Sequence, residues 1–412
     1  MPLDPSYLEY PQRKYGMDHD QYDWSMLVSR KPVKWPEDAR IALLINVSLQ
    51  YFPLNQQGKP FPPTGGMTTS YPDLRHYTLR EYGNRVGIFR LLQALDKYEV
   101  KPTFAINAQL AQRYPYLLDK LVKRGDEIIG HGWNMDTPHF GGMERAREAE
   151  IIVQSLSTLR KLTGQPVEGW LSPSRSQSAN TPELLVKNGI KYMCDWINDD
   201  MPYRFRTAAG ELTALPLSLE LEDTFIMHTN LHSEYEYADQ IEDAYDFLSE
   251  EAYEQGGRLL ALSIHPWSLG QPHRIAQLER VLQYITSNDN VWSASAGEIC
   301  RVWQHAKSYR PDAKFTTYLF TITRNLVFNE TRRRSRKKEI PLETDNPSGS
   351  HHEPGDDPHG QWSITSIDRN SGGFENGRSD IDDMGELRTN LTLRVDPVGP
   401  VHDRSVACTA PV

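Results

Sequence analysis

The strongest constraint on the fold is an alternation of short apolar runs with helically spaced stretches, beginning at Ala39 and lasting to about residue 305. IALLINV (41–47) reads as a buried strand, and Val86, Phe89, Leu92 and Leu95 then recur on a helical spacing. TFAINA (103–108) is a second strand, followed by a helix through Leu117, Leu118 and Leu121 and a third strand, EIIGHG (127–132). Ile152, Leu156, Leu159 and Leu162 share one helical face, and further strands are expected at 167–171, 190–195, 224–229, 259–265 and 291–294. Parallel strands need crossovers of helical length, so this order implies an α/β fold, either a barrel or a doubly wound sheet. Residues 37–305 are about the length that one (β/α) barrel occupies. Residues 1–36, rich in Tyr and Pro, read as an arm laid over this domain.

In such folds chemistry gathers at the carboxyl ends of the strands. Three titratable residues sit there: His131 between two glycines, Asp195 after KYMC, and His265 after LLALSI. Imidazole can give or take a proton near neutral pH, and a carboxylate can orient it or activate water. Each also has a plain structural reading, as a satisfied turn histidine or a solvated acidic loop. The one His-x3-His spacing, His228 and His232, would hold a metal on a helix but falls in what reads as a loop. Three distant cysteines, Cys194, Cys300 and Cys408, form no CxxC pair, which fits a reducing cytoplasm. No apolar run is long enough for a membrane helix, and the opening residues lack a signal-like apolar segment. With 45 basic against 55 acidic residues, the whole chain is not a basic nucleic-acid binder.

RIALLINV, REYGNRVGIFRLL, TFAINAQLAQRYP, IIGHGWNMD, LTGQPVEGWLSPS, CDWINDDMPY and IHPWSLGQPHRI occur in one order. Together they resemble polysaccharide deacetylases of the NodB-homology type, nearest the branch that contains metal-independent allantoinases. The resemblance covers about residues 30–305. It implies a distorted (β/α) barrel that hydrolyses non-peptide C–N bonds, with an N-acetylated sugar or a linear or cyclic amide as substrate. It also implies that His131 is the motif histidine and that Asp195, Asp199 and Asp200 form the acidic loop. His265 would be the late histidine that acts as general acid, and Arg175 the arginine that follows the GW pair. Trp133 and Asn134, beside His131, would face substrate. Asn84 and Arg85 would line the pocket, or else cap a helix and form a surface pair.

The departures bear on metal. Metal-dependent members place an aspartate pair at the end of the first strand, where this chain reads NVSLQYFP, with no Asp or Glu from Ala39 through Pro72. They place a second histidine four residues after the first, where this chain has Met135. With two of three ligands replaced, no metal cofactor is expected unless Asp136 and His139 substitute. A metal-free reaction needs a base for water (His131 or Asp195), an acid for the leaving nitrogen (His265) and oxyanion donors (Arg175 or backbone N–H groups). The rival reading is a catalytically silent binding barrel, and a homo-oligomer is compatible with either.

The remaining chain changes character. Phe315, Leu319, Ile322 and Leu326 lie on one helical face, followed by Arg332, Arg333 and Arg334. The segment KFTTYLFTITRN with its trailing arginines resembles the promoter-melting part (region 2) of an extracytoplasmic-function sigma factor. That implies a basic helix over 306–345 with weak nucleic-acid contact, where aromatics hold unstacked bases and arginines meet phosphates. A sigma-factor-like nucleic-acid binder is therefore a further alternative. Residues 346–412 are rich in Gly, Ser, Asn and Asp and should form a disordered tail.

Overall fold

The computed structural model describes residues 19–27, 30–56 and 72–308. The rest of the expected basic helix and the expected tail, 309–412, lie outside the described residues. Nine strands form one sheet among the described residues, ordered β6-β7-β5-β4-β3-β2-β1-β8, with β9 also pairing with β1. They are β1 Ile41–Leu49, β2 Pro102–Ile106, β3 Glu127–Gly130, β4 Gly169–Trp170, β5 Tyr192–Met193, β6 Tyr203–Thr207, β7 Gly210–Ala214, β8 Arg258–Ile264 and β9 Val291–Ser293. Every pairing is parallel except the β6–β7 hairpin. No pairing joins β6 to β8 among the described residues. The architecture is thus the α/β, distorted (β/α) barrel that the motifs imply, left open between β6 and β8 among the described residues.

All nine residues of β1 are buried, and they alternate between two cores. Ile41, Leu43, Ile45 and Val47 face the larger apolar cluster, packed under α2 (Ile88–Lys97), α7 (Glu234–Gln255) and α8 (Ile275–Thr286). Ala42 and Leu44 face the smaller one, to which α9 (Ala296–Ser308) adds Ile299, Cys300 and Trp303. Further along this second face the side chains turn polar: Asn46 Nδ2 donates to Ser48 Oγ and Ser263 Oγ, each at 3.1 Å. The face leads to Gln50, the first residue past the strand.

The structure corrects the strand expected at 224–229. Phe225–Thr229 is instead a wide helical turn, closed by the Asn230 N–H on the Phe225 carbonyl at 2.9 Å. A short apolar run such as FIM suits either state, and tertiary packing decides between them. The β6–β7 hairpin, which turns through Gly210 at φ +134°, is additional to the expected strands. Described parts of the arm hold to the barrel through Trp35, whose Nε1–H donates to the Arg258 carbonyl at 2.8 Å, and through Tyr22, ringed by Trp196 and Tyr203.

Between α1 (Leu74–Tyr82) and α2 lies a second wide turn, Gly83–Gly87. It presses on the loop after β8. A Cβ at Gly83 would stand 2.6 Å from the Trp267 backbone nitrogen, and one at Gly87 would overlap the Pro266 carbonyl oxygen. Two glycines therefore let a helix touch the backbone of the His265 loop directly. Gly87→Val should lower the urea unfolding midpoint by the equivalent of roughly 1–3 kcal/mol, while Gln93→Ala on exposed α2 surface should change it little. An unchanged midpoint in Gly87→Val would show that this contact yields freely.

Candidate active site

Strand ends deliver the candidate groups as the fold rule requires: Gln50 follows β1, His131 follows β3, Asp195 lies just past β5, and His265 follows β8. His131 and His265 are both buried. Nδ1 of His131 is 2.7 Å from the Leu171 carbonyl oxygen, which can only accept, so Nδ1 carries the proton. Nδ1 of His265 is 2.7 Å from Asp223 Oδ1, and Asp223 Oδ2 accepts the His265 backbone N–H at 2.9 Å. With both Nδ1 atoms donating, each neutral ring keeps a lone pair on Nε2. Both Nε2 atoms lie 3.4 Å from one group, the side-chain amide nitrogen of Gln50, which has two hydrogens to offer. The two imidazoles thus face the same point.

The support of this point is continuous. Asn84 Nδ2 donates to the Gln50 carbonyl at 3.0 Å, and Asn107 Oδ1 accepts the Tyr51 N–H at 2.8 Å. The Asn107 amide also donates to the His131 carbonyl, which ties the ends of β1, β2 and β3 together.

Arg175 closes another side. It occupies a left-handed backbone conformation (φ +52°) in the short turn Pro173–Arg175, and its Nη1 pairs with Glu222. Its Nε and Nη2 are buried without hydrogen-bond partners. Burial works against the charge of Glu222, but Arg175 and His265 outweigh it and hold the carboxyl below its ordinary value. Burial also pushes His131 down to about 4, helped by His265 and Arg175 and opposed by the Leu171 hydrogen bond.

Asp195 is buried with both oxygens occupied. Oδ1 accepts the Ser172 N–H at 2.6 Å, and Oδ2 accepts the Ser172 hydroxyl at 2.8 Å and the Gln177 amide. Burial raises its pKa against those bonds. Asp195 thus steadies Ser172, next in the chain to the Leu171 that fixes His131. It also lines a cavity of about 310 Å³ with Arg175, Gln177, Trp196, Ile197 and Asn198.

The other expected residues are placed elsewhere. Trp133 packs against the larger core. Asn134 spends its amide locally, donating to Gln109 at 2.7 Å and accepting from Asp136 and Thr137. Asp199 forms a two-pronged pair with Arg30 of the arm at 2.6 and 2.7 Å, and Asp200 is exposed. Arg85 is an exposed partner of Glu81. His228 stacks on Trp267, and His232 is 3.0 Å from Gln240. Sequence reasoning missed Gln50, Asp223 and Glu222. An LED triplet ahead of a supposed strand was the only hint of the last two.

The residues do not fit a divalent ion of the family's type. Where the family has its first acid, Gln50 offers an amide whose nitrogen already faces two imidazoles, and Met135 has no hard donor. His139 is buried 3.3 Å from Glu148, whose carboxylate also accepts from Ser178 and Thr181. Among the described residues no group of three or more His, Cys, Asp or Glu could hold a metal.

The depressed pKa of His131 has a consequence for stability. The unfolded chain binds this proton below its ordinary value near 6.5, whereas the folded chain binds it only near 4. The stability contributed by His131 is complete above pH 6.5 and is lost as pH falls from 6.5 toward 4. His131→Gln should flatten the fall of unfolding free energy across that window by up to about 3 kcal/mol. Denaturant titrations at a series of pH values measure it, and parallel curves for the two proteins would contradict it.

Residues 81–193 match the family Polysaccharide deacetylase, and residues 299–337 match Sigma-70 region 2. A polysaccharide deacetylase-like protein of Schizosaccharomyces pombe is 24% identical over 248 residues, 56% of this chain and 76% of that one. The solved structure of a polysaccharide deacetylase-type protein from Pseudomonas aeruginosa PAO1 has a TM-score of 0.60 and 29% identity, covering 67% of this chain and 95% of its own. Puue Allantoinase has a TM-score of 0.61 and 25% identity, covering 67% of this chain and 94% of its own. The α/β unit of this chain is therefore similar to the NodB-type polysaccharide deacetylases and to an allantoinase among their structural relatives, with a Sigma-70 region 2 match that begins within its last helix.

Proposed function

We propose that the protein hydrolyses the C–N bond of a linear or cyclic amide without a metal ion. The observation that carries this reading is the convergence of His131 Nε2 and His265 Nε2 on Gln50 Nε2, with Asp223 behind His265. The resemblance to deacetylases and an allantoinase supplies the reaction class, and the unsuitable donor set at the family's metal position supports the metal-free form.

The sequence reading divides the proton steps, giving His131 or Asp195 the base role and His265 the acid role. The hydrogen-bond pattern favours giving both steps to His265. Its Nε2 lone pair takes a proton from the attacking water as the water oxygen bonds to the amide carbon, and Asp223 stabilises the imidazolium that forms. That proton then passes from Nε2 to the leaving nitrogen as the C–N bond breaks, which returns His265 to its resting form. His131, uncharged at neutral pH, holds the water or the substrate N–H by its own Nε2 lone pair. The unpartnered N–H groups of Arg175 serve the developing oxyanion. Asp195 acts at a distance, through Ser172.

A panel of allantoin, other cyclic ureides and N-acetylated sugars, assayed with and without chelator, tests this. Turnover should survive the chelator and fall by roughly 10²–10⁴ in His265→Ala and Asp223→Asn. Loss of activity with chelator, restored by a divalent ion, would overturn the metal-free mechanism. Unchanged turnover in His265→Ala would remove that residue from it.

A further inference from the structure

Arg80, at the end of α1, is a half-buried cation with no anion paired to it among the described residues. Its guanidinium lies 3.5 Å from the Trp267 ring centroid and 5.0 Å from that of Phe52. Its Nε is buried with no hydrogen-bond partner, and among the described residues it forms no ion pair. Arg175 is matched by Glu222 and Arg258 by Glu251, whereas Arg274, beside His228, shares with Arg80 a buried Nε without a partner. Asp223 is the acid that acts on Arg80 electrostatically, yet both its oxygens already bond to His265. Contacts with two aromatic rings offset only part of the cost of desolvating a charge. A guanidinium kept in this state is prepared for an anion that arrives from outside.

The location says which molecule brings it. The Trp267 ring is 6.0 Å from the His265 ring, so Arg80 stands one indole away from the proposed proton carrier. We infer that Arg80 forms an anion-recognising subsite beside the two histidines and that the substrate carries a carboxylate close to its scissile amide. This inference rests on the hydrolase reading above. One guanidinium balances one charge and matches a carboxylate fork, which suits a carboxylate better than a dianionic phosphate. Neighbouring His76 and His228 are each held near 4, first by burial, and so add no competing positive charge at neutral pH.

The test compares hydantoin with hydantoin-5-acetate, a neutral and a carboxylate-bearing cyclic ureide, on the full chain. Calorimetric Kd and kcat/KM should both favour the carboxylate form by roughly tenfold to a hundredfold in the unaltered protein. Arg80→Gln should erase that preference, chiefly through Kd and KM, and Arg80→Lys should retain part of it. Selective binding of the carboxylate probe without turnover of either compound would keep the subsite and count against the hydrolase reading. Equal affinity for the two probes in the unaltered protein would overturn the subsite, whatever the turnover and whether or not Arg80→Gln folds.

Discussion

Two fixed protons organise the candidate site. The Leu171 carbonyl holds one on Nδ1 of His131, and Asp223 holds the other on Nδ1 of His265. Everything else about the pair follows from those bonds: the tautomers, the ring planes and the direction of both Nε2 lone pairs. The same bonds explain why an amide can occupy the end of β1. A carboxylate between two lone pairs would need a cation or an extra proton to be tolerated there, whereas the NH2 of Gln50 meets both pairs without either. An amide at this position carries no charge for a divalent ion to seek, while burial, His265 and Arg175 keep His131 neutral.

Much of the scaffold was legible because β-strand and helix periods differ and because a parallel sheet concentrates chemistry at its carboxyl ends. His131, Asp195 and His265 were found by that rule, and their placement at β3, β5 and β8 accords with it. Asp223 was not legible. It belongs to a loop reaching from β7 toward the Phe225–Thr229 turn, and FIM gave the same apolar signal as a strand. Gln50 escaped notice for a different reason: the stretch after β1 was read for the acids it lacks rather than for the donor it has. Asn134 and Asp199 show the reverse limit: their residue types suit substrate contact, but Gln109 and Arg30 already engage their side chains. Such competition depends on three-dimensional neighbours and leaves no trace in spacing.

The Sigma-70 region 2 match begins inside the α/β unit rather than after it. Residue 299 opens the match, yet Ile299, Cys300 and Trp303 are buried in the smaller core, and Gln304 donates to Thr213 at 2.8 Å. A helix whose apolar residues are sealed against β1 cannot offer those residues to unstacked bases. The first residues of the match thus serve the barrel, and any nucleic-acid chemistry falls to the basic residues beyond Ser308.

The contact between the Gly83–Gly87 turn and the His265 loop links recognition to catalysis. Arg80 precedes that turn by one helical step, and Trp267, which it covers, belongs to the loop that carries His265. Because backbone meets backbone at Gly83 and Gly87, α1 and this loop have no flexible side-chain layer between them. A displacement of α1 would therefore move the guanidinium, the indole and the imidazole together. Substrate drawn in by charge would meet a proton carrier already at a set distance, with its Nδ1 proton held by an acid too fully bonded to answer Arg80 itself. Among the described residues the unpaired guanidinium and the occupied carboxylate are two sides of one arrangement: Asp223 is committed to His265, which leaves Arg80 available to the substrate.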